Sequence, residues 1–264
     1  MMRHIPRKRF GQHFLIDESV IADIVAAIGP QPDDRLVEIG PGLGALTRPL
    51  LAQVKHLHAV EIDRDVVARL TDTFPAGRLT IHQADALRFD FAALGAGLRV
   101  VGNLPYNIST PLLFHLAHSA DFIRDIHAML QKEVVTRMTA APGEPDYGRL
   151  SVMLQYRFKL EHLLSVPASA FRPAPKVESA VVRMLPLPGA TERCDEALFA
   201  RLVKSAFMHR RKTLRNTLRG HLAERDFIAL KIRPEARAQE LSVADFVRLT
   251  NHVAGRSPAD ATQA

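Results

Sequence analysis

The chain reads as a parallel, doubly wound α/β sheet followed by a small α-helical domain. Three observations predict this. Short apolar runs alternate with helically spaced segments up to Leu185, the pattern of strands joined by crossover helices. A glycine-rich turn, Gly40-Pro-Gly-Leu-Gly44, links the first such run to the helix after it. Beyond Pro186-Leu-Pro-Gly-Ala-Thr191, a linker by composition, every periodic stretch is helical.

Asp17 or Ser19 is placed to cap a helix whose apolar positions run from Ile21 to Ile28. Arg35-Leu-Val-Glu-Ile39 is a buried strand that ends in the glycine turn and opens a helix from Ala45 to Gln53. His58 to Ile62 is the second strand, followed by a helix from Asp65 to Phe74. Leu79 to Gln83 is the third strand and Leu98 to Gly102 the fourth. Further strands are expected at Ile123–Leu130, Lys159–Val166 and Val177–Leu185, with helices between the first two. This divides the chain into residues 1–187, carrying the sheet, and a helical domain at 192–264.

Composition narrows the class. Hydrophobic residues make up 47% of 264, enough for a sizeable core. The single cysteine, Cys194, excludes an intramolecular disulfide and fits a reducing cytoplasm. After the basic start, Phe14-Leu15-Ile16 is too short an apolar stretch for a signal peptide. Val100 to Ala120 is free of Lys, Arg, Asp and Glu, yet Asn103, Pro105, Asn107 and Pro111 argue against a membrane span. A soluble cytoplasmic protein, acting as a monomer, is expected. Its net charge of +7 favours an acidic partner. The positive charge is clustered. Arg3, Arg7, Lys8 and Arg9 precede the first acidic residue, and seven Lys or Arg with no Asp or Glu lie between Ala197 and Ala223. A charge run is usually a solvated face, but two one-signed stretches in one chain weaken that reading.

The chemical signals sit at successive strand ends. Glycines at 40, 42 and 44 permit positive φ and close backbone approach to a ligand. The run alone also fits a dinucleotide pattern, as Gly40-x-Gly42-x-x-Ala45. Glu61, 21 residues after Gly40 at the end of the second strand, is placed to accept both hydroxyls of a ribose. Asp85, after the third strand, is placed to accept from the exocyclic amine of an adenine. Ligands of open α/β sheets bind at these carboxyl ends. A dehydrogenase and a methyltransferase both remain open at this point.

After the fourth strand comes Asn103-Leu-Pro-Tyr106. The lone pair of an adenine amine is delocalised into its ring, which makes the nitrogen a poor nucleophile. Two acceptors on its N–H groups, the Asn103 side chain and a backbone carbonyl such as that of Leu104, would draw it toward tetrahedral geometry. Pro105 stiffens the turn, and Tyr106 offers a ring on which a flipped-out base can stack. In isolation Asn-x-Pro-Tyr is an ordinary turn. Directly after the fourth strand of a sheet carrying a nucleoside site, it reads as catalytic.

Five separated motifs now fall in order: Arg9-Phe-Gly-Gln-His-Phe-Leu15, Glu38-Ile-Gly-Pro-Gly42, Asn103-Leu-Pro-Tyr-Asn-Ile-Ser109, Phe171-x-Pro-x-Pro-Lys-Val177 and Arg210-Arg-Lys-Thr-Leu-Arg-Asn216. Together they resemble the ribosomal RNA adenine dimethyltransferases, the small-subunit branch above all, from residue 9 to about residue 250. The resemblance implies a class I, Rossmann-like methyltransferase fold with S-adenosylmethionine as methyl donor. It implies as substrate two adjacent adenines in the hairpin near the 3′ end of small-subunit (16S) RNA, presented on the immature 30S particle.

Carried over by position, the resemblance implies a donor site of Leu15, Gly40, Gly42, Glu61, Asp85 and Asn103, with Ile62 and Ala86 beside them. Position 13 departs from the family, which usually has Asn there; His13 still has a donor to offer the donor's carboxylate. Phe171 would face the target base opposite Tyr106, against the plainer reading of a packed loop anchor. Arg7, Lys8, Arg9, Arg210, Arg211, Lys212 and Arg215 are expected to touch RNA. A single helix beginning near Ala197 would place residues 211 and 215 one turn apart on its basic face, with Phe199, Leu202, Val203, Ala206 and Phe207 opposite. No metal is expected, since His56-x-His58 has no companions at ligand spacing. Two rivals stay open: a resistance-type enzyme acting on large-subunit RNA, and an RNA-binding assembly factor in which methylation is secondary.

Overall fold

The computed structural model describes residues 13–187 and 194–255. They divide into two compact units, one of residues 1–135 with 159–186 and the other of 136–158 with 187–264.

The first unit is built on a seven-stranded sheet. Its strands are β2 (Arg35–Ile39), β3 (Leu57–Glu61), β4 (Leu79–Gln83), β5 (Leu98–Asn103), β6 (Ile123–Gln131), β7 (Phe158–Val166) and β9 (Ser179–Pro186), while β1 (Phe14–Leu15) and β8 (Phe171–Arg172) form a separate pair. The order is β4-β3-β2-β5-β6-β9-β7. β2 pairs in parallel with both β3 and β5, so the chain fills one side of it and then the other. Such a switch point leaves a crevice beyond the strand's carboxyl end. The expected all-parallel sheet is corrected at β9, which runs antiparallel to β6. An apolar run looks the same in either direction, so sequence did not carry that distinction.

The helices of this unit are α1 (Glu18–Ile28), α2 (Thr47–Gln53), α3 (Arg64–Thr73) and α4 (Ser109–His118), with α5 (Lys132–Thr139) at its border. Asp17 caps α1, accepting from the amides of Ser19 and Val20 at 3.0 and 3.2 Å. Gly29 ends it in the left-handed conformation. Ile24, Val25 and Ile28 of α1 belong to one core with Leu36, Leu57, Val101, Met129 and Val181 of the sheet. Arg99 of β5 organises the opposite edge. Its buried guanidinium donates to Asp125 and Asp34 and to the carbonyls of Ile28 and Gly29, which satisfies the open end of α1.

The second unit is helical: α6 (Arg149–Gln155), α7 (Glu196–Phe207), α8 (Leu214–Thr217), α9 (Glu224–Ala229) and α10 (Val243–Ala254). Its core joins Phe199, Leu202, Val203 and Ala206 of α7 to Phe227 and Phe246, the apolar stripe expected of that helix. The segment 136–158 was expected with the sheet and lies instead in this unit. The physical reason is aromatic. Tyr156 stacks on Phe199 with ring centroids 4.4 Å apart, and the buried Tyr147 hydroxyl donates to the Leu241 carbonyl at 2.8 Å. A second correction concerns α7, which stops at Phe207 and gives way to a turn before α8. Arg211 and Arg215 are therefore not neighbours on one helix.

Candidate active site

A cavity of about 760 Å³ opens at the carboxyl ends of the parallel strands. Four of the strands bring groups to it. β2 ends in Glu38 and the glycine turn, β3 in Glu61 and Ile62, β4 leads to Asp85 and Ala86, and β5 ends at Asn103 with Leu104, Pro105 and Tyr106 following. His13 and Leu15, from the β1 segment, line it too.

The glycines are needed for different reasons. Gly40 and Gly42 stand at φ of 65° and 54°, a conformation that L side chains rarely adopt. Gly102, which the sequence reading passed over, is required by contact, because a Cβ there would run into the Ile39 carbonyl oxygen. Its bareness lets β5 run close beneath the turn.

The acidic side of the cavity is held by local bonds. One oxygen of Glu61, Oε1, accepts from the amides of Ile62 and Asp63 at 2.8 and 2.9 Å. A carboxylate has about four lone-pair sites. Two of them, both on Oε1, serve Glu61's own turn, which leaves the second oxygen to the ribose hydroxyls expected there. Burial pushes the Glu61 pKa upward. Asp85 accepts from the Leu87 amide at 3.0 Å. Glu38 was quoted in the sequence motif but not singled out as a site residue. It is 2% exposed, accepts from the Thr47 hydroxyl at 2.6 Å, and is raised to about 7 by burial, with the charge of Glu61 adding to the effect. Its place in Glu38-Ile-Gly-Pro-Gly42 was the only sign of it.

The opposite side is held by distant parts of the chain. The Asn103 amide nitrogen donates to the His13 carbonyl at 3.0 Å. The amide is thereby oriented, with its oxygen on the side away from the His13 carbonyl and available as an acceptor. The Leu104 amide donates to the Met129 carbonyl at 3.1 Å. Tyr106 shares a 2.6 Å hydrogen bond with the buried Ser179 hydroxyl, and burial raises its pKa. His13 Nδ1 is 2.8 Å from the Pro173 carbonyl. β1 fastens this segment down by pairing Phe14 with Arg172 and Leu15 with Phe171.

Phe171 is the correction in this region. It was expected to face the target base, yet it is 3% exposed and belongs to the core with Leu15. The plainer reading, a loop anchor, describes it. Arg7, Lys8 and Arg9 lie outside the described residues. Arg210, Arg211 and Lys212 are exposed in the turn after α7, and Arg215 is exposed on α8. Arg210 donates to the Pro145 carbonyl, and Arg215 lies 3.5 Å from Glu224. Among the described residues no group of three His, Cys, Asp or Glu side chains is placed to hold a metal ion. No helix there is long and apolar enough to cross a membrane.

The family model described as ribosomal RNA adenine dimethylase matches residues 3–255. The chain belongs to this family. It is accordingly a methyltransferase acting on ribosomal RNA, with S-adenosylmethionine as its methyl donor. The chain is 61% identical to the ribosomal RNA small subunit methyltransferase A of Aromatoleum aromaticum, over 98% of each chain. It is 62% identical to the protein of the same name from Chromobacterium violaceum, over 96% of this chain and 97% of that one. Among solved structures, a dimethyladenosine transferase from Plasmodium falciparum superimposes with a TM-score of 0.76 at 24% identity, covering 90% of this chain and 96% of that one. The 23S rRNA methyltransferase ErmE gives 0.65, also at 24%, over 91% and 99%. These two likenesses establish the fold.

The cavity fits the family's donor on its own chemistry. A sulfonium compound with an ammonium group, a ribose diol and an adenine amine is rich in donors and positive charge. The wall formed by Glu38, Glu61 and Asp85 is correspondingly rich in acceptors.

Proposed function

We propose that this protein transfers methyl groups to N6 of two adjacent adenines in the 3′-terminal hairpin of small-subunit (16S) ribosomal RNA. Each adenine becomes N6,N6-dimethyladenosine on the immature 30S particle, during ribosome biogenesis in the cytoplasm, and the protein works as a monomer. The observation that carries this reading is the orientation of Asn103. With its nitrogen committed to the His13 carbonyl, its oxygen is the group left to accept from an adenine amine.

Gly40, Gly42, Glu61, Ile62, Asp85 and Ala86 hold the donor, and Leu15 and His13 close over it. S-adenosylmethionine, when bound, supplies an electrophilic methyl carbon. The Asn103 oxygen and the Leu104 carbonyl accept hydrogen bonds from the N6–H groups, which frees the nitrogen lone pair for in-line attack. Pro105 keeps that turn rigid, and Tyr106 stacks the flipped base. As the N–C bond forms the C–S bond breaks, and the surplus N6 proton passes to water. No strong base is required. Arg210, Arg211, Lys212 and Arg215, with the N-terminal Arg7, Lys8 and Arg9, meet phosphates largely without regard to sequence. Specificity is left to the shape of the RNA and the flipped base.

Radiolabelled methyl transfer to immature small subunits, followed by mapping of the modified nucleotides, tests this. Four methyl groups on two neighbouring adenines are expected. Labelling confined to large-subunit RNA would overturn it in favour of the resistance-type reading.

A further inference from the structure

Two hydrogen bonds and a ring contact converge on residue 13. Its carbonyl accepts from Asn103, its ring nitrogen Nδ1 meets the Pro173 carbonyl, and its imidazole lies against Tyr106. The two rings are 5.7 Å apart between centroids and 26° from parallel, a stacked aromatic pair. One face of the ring proposed to stack the target base is thus engaged by the protein's own side chain.

We propose that His13 is the gate of the adenine slot: its imidazole covers the stacking face of Tyr106 and is displaced when a base takes that place. This rests on the reading that Tyr106 stacks the target base. The restraints on the two rings differ, and the difference says which one moves. Tyr106 is pinned through its hydroxyl to Ser179, a side chain with 0% exposure. His13 is half-buried, and its ring is held by one hydrogen bond to a loop carbonyl. Rotation about the His13 side-chain bonds leaves its backbone carbonyl in place. The gate therefore opens without releasing Asn103. A base exchanges one stack for another, so part of its stacking energy is spent on displacing the imidazole. Purines, with the larger π surface, make that exchange more favourably than pyrimidines do.

The test is the sign of a KM change. Methyl transfer to immature small subunits is measured with the full-length protein at saturating S-adenosylmethionine. His13→Ala is expected to lower the KM for the subunit by roughly twofold to tenfold, the worth of one aromatic contact. His13→Asn, which keeps a donor for the Pro173 carbonyl but lacks the ring, is expected to do the same, and it decides the matter if the alanine variant does not fold. In a Tyr106→Ala background the gain should vanish. An unchanged or raised KM in the folded His13 variants, while Tyr106→Ala raises KM, overturns the gate and leaves the stacking role of Tyr106 standing. A Tyr106→Ala variant with unaltered KM overturns both.

Discussion

The two sides of the active-site cavity are built in opposite ways. On the acidic side, Glu61 is held by the amides of the next two residues and Asp85 by that of Leu87. On the base side, Asn103 is oriented from 90 residues away, Tyr106 from 73 and His13 from 160. Local bonds form whenever the strand ends fold, so the donor wall comes with the sheet. The base slot exists only once β1, β8 and β9 have assembled around the turn after β5. Groups that bind a common ligand tolerate a locally built wall. Groups that must align a nitrogen for in-line attack need a frame fixed from several directions.

The largest expected effect tests the base side. Asn103→Ala removes the acceptor proposed to act in the transition state, and single-turnover methylation should fall by about a hundredfold or more. Affinity for the subunit should stay within a few-fold. A rate within threefold of the unaltered protein would break the comparison, because the long-range frame would then be orienting nothing that matters.

Glu61→Ala comes next, on the acidic side. Charge-assisted hydrogen bonds contribute about 1.5–3 kcal/mol each. Since the protein's own amides engage one carboxylate oxygen and leave the other for the ribose diol, at least one such bond to the donor is the expected loss. Calorimetric titration with S-adenosylmethionine should show Kd rising by roughly tenfold to a hundredfold. A larger rise, matching two lost bonds, would mean that both ribose hydroxyls meet the second oxygen, and an unchanged Kd would remove Glu61 from the site.

Glu38 gives a pH test of the same wall. Its carboxyl titrates near 7 in the folded chain, above the 4.5 of an unperturbed glutamate. The folded state binds that proton more tightly, so the contribution to stability is full below about pH 4.5 and is lost as pH rises through 7. The span is about 3 kcal/mol. Chemical denaturation from pH 4.5 to 7.5 should therefore show Glu38→Gln with a shallower decline than the unaltered protein. Parallel curves would place the charge of Glu38 in water.

The smallest effect sharpens the base side. Tyr106→Phe keeps the ring and deprives the buried Ser179 hydroxyl of its partner, at about 1–3 kcal/mol of stability. Turnover should fall only mildly, and Tyr106→Ala should be the harmful change. A severe loss of turnover in the phenylalanine variant, at unchanged stability, would assign the hydroxyl a role in the reaction.

Sequence by itself determined the seven strands of the main sheet and their order of appearance, the glycine turn, the acids after β3 and β4 and the Asn-Leu-Pro-Tyr turn after β5. All of these are short-range patterns. Apolar period marks a buried element, and a strand that ends in a glycine or an acid marks itself. Even α7 was legible through its apolar stripe, although its length was not, because the basic residues after Phe207 suit a helix and a turn equally. Tertiary structure alone decided the rest. The direction of β9, the allegiance of residues 136–158 and the burial of Phe171 each depend on which distant surface an apolar side chain meets. The hold on Asn103, Tyr106 and His13 depends on groups 73 to 160 residues away. Periodicity says that a side chain will be buried, and only the assembled fold says against what.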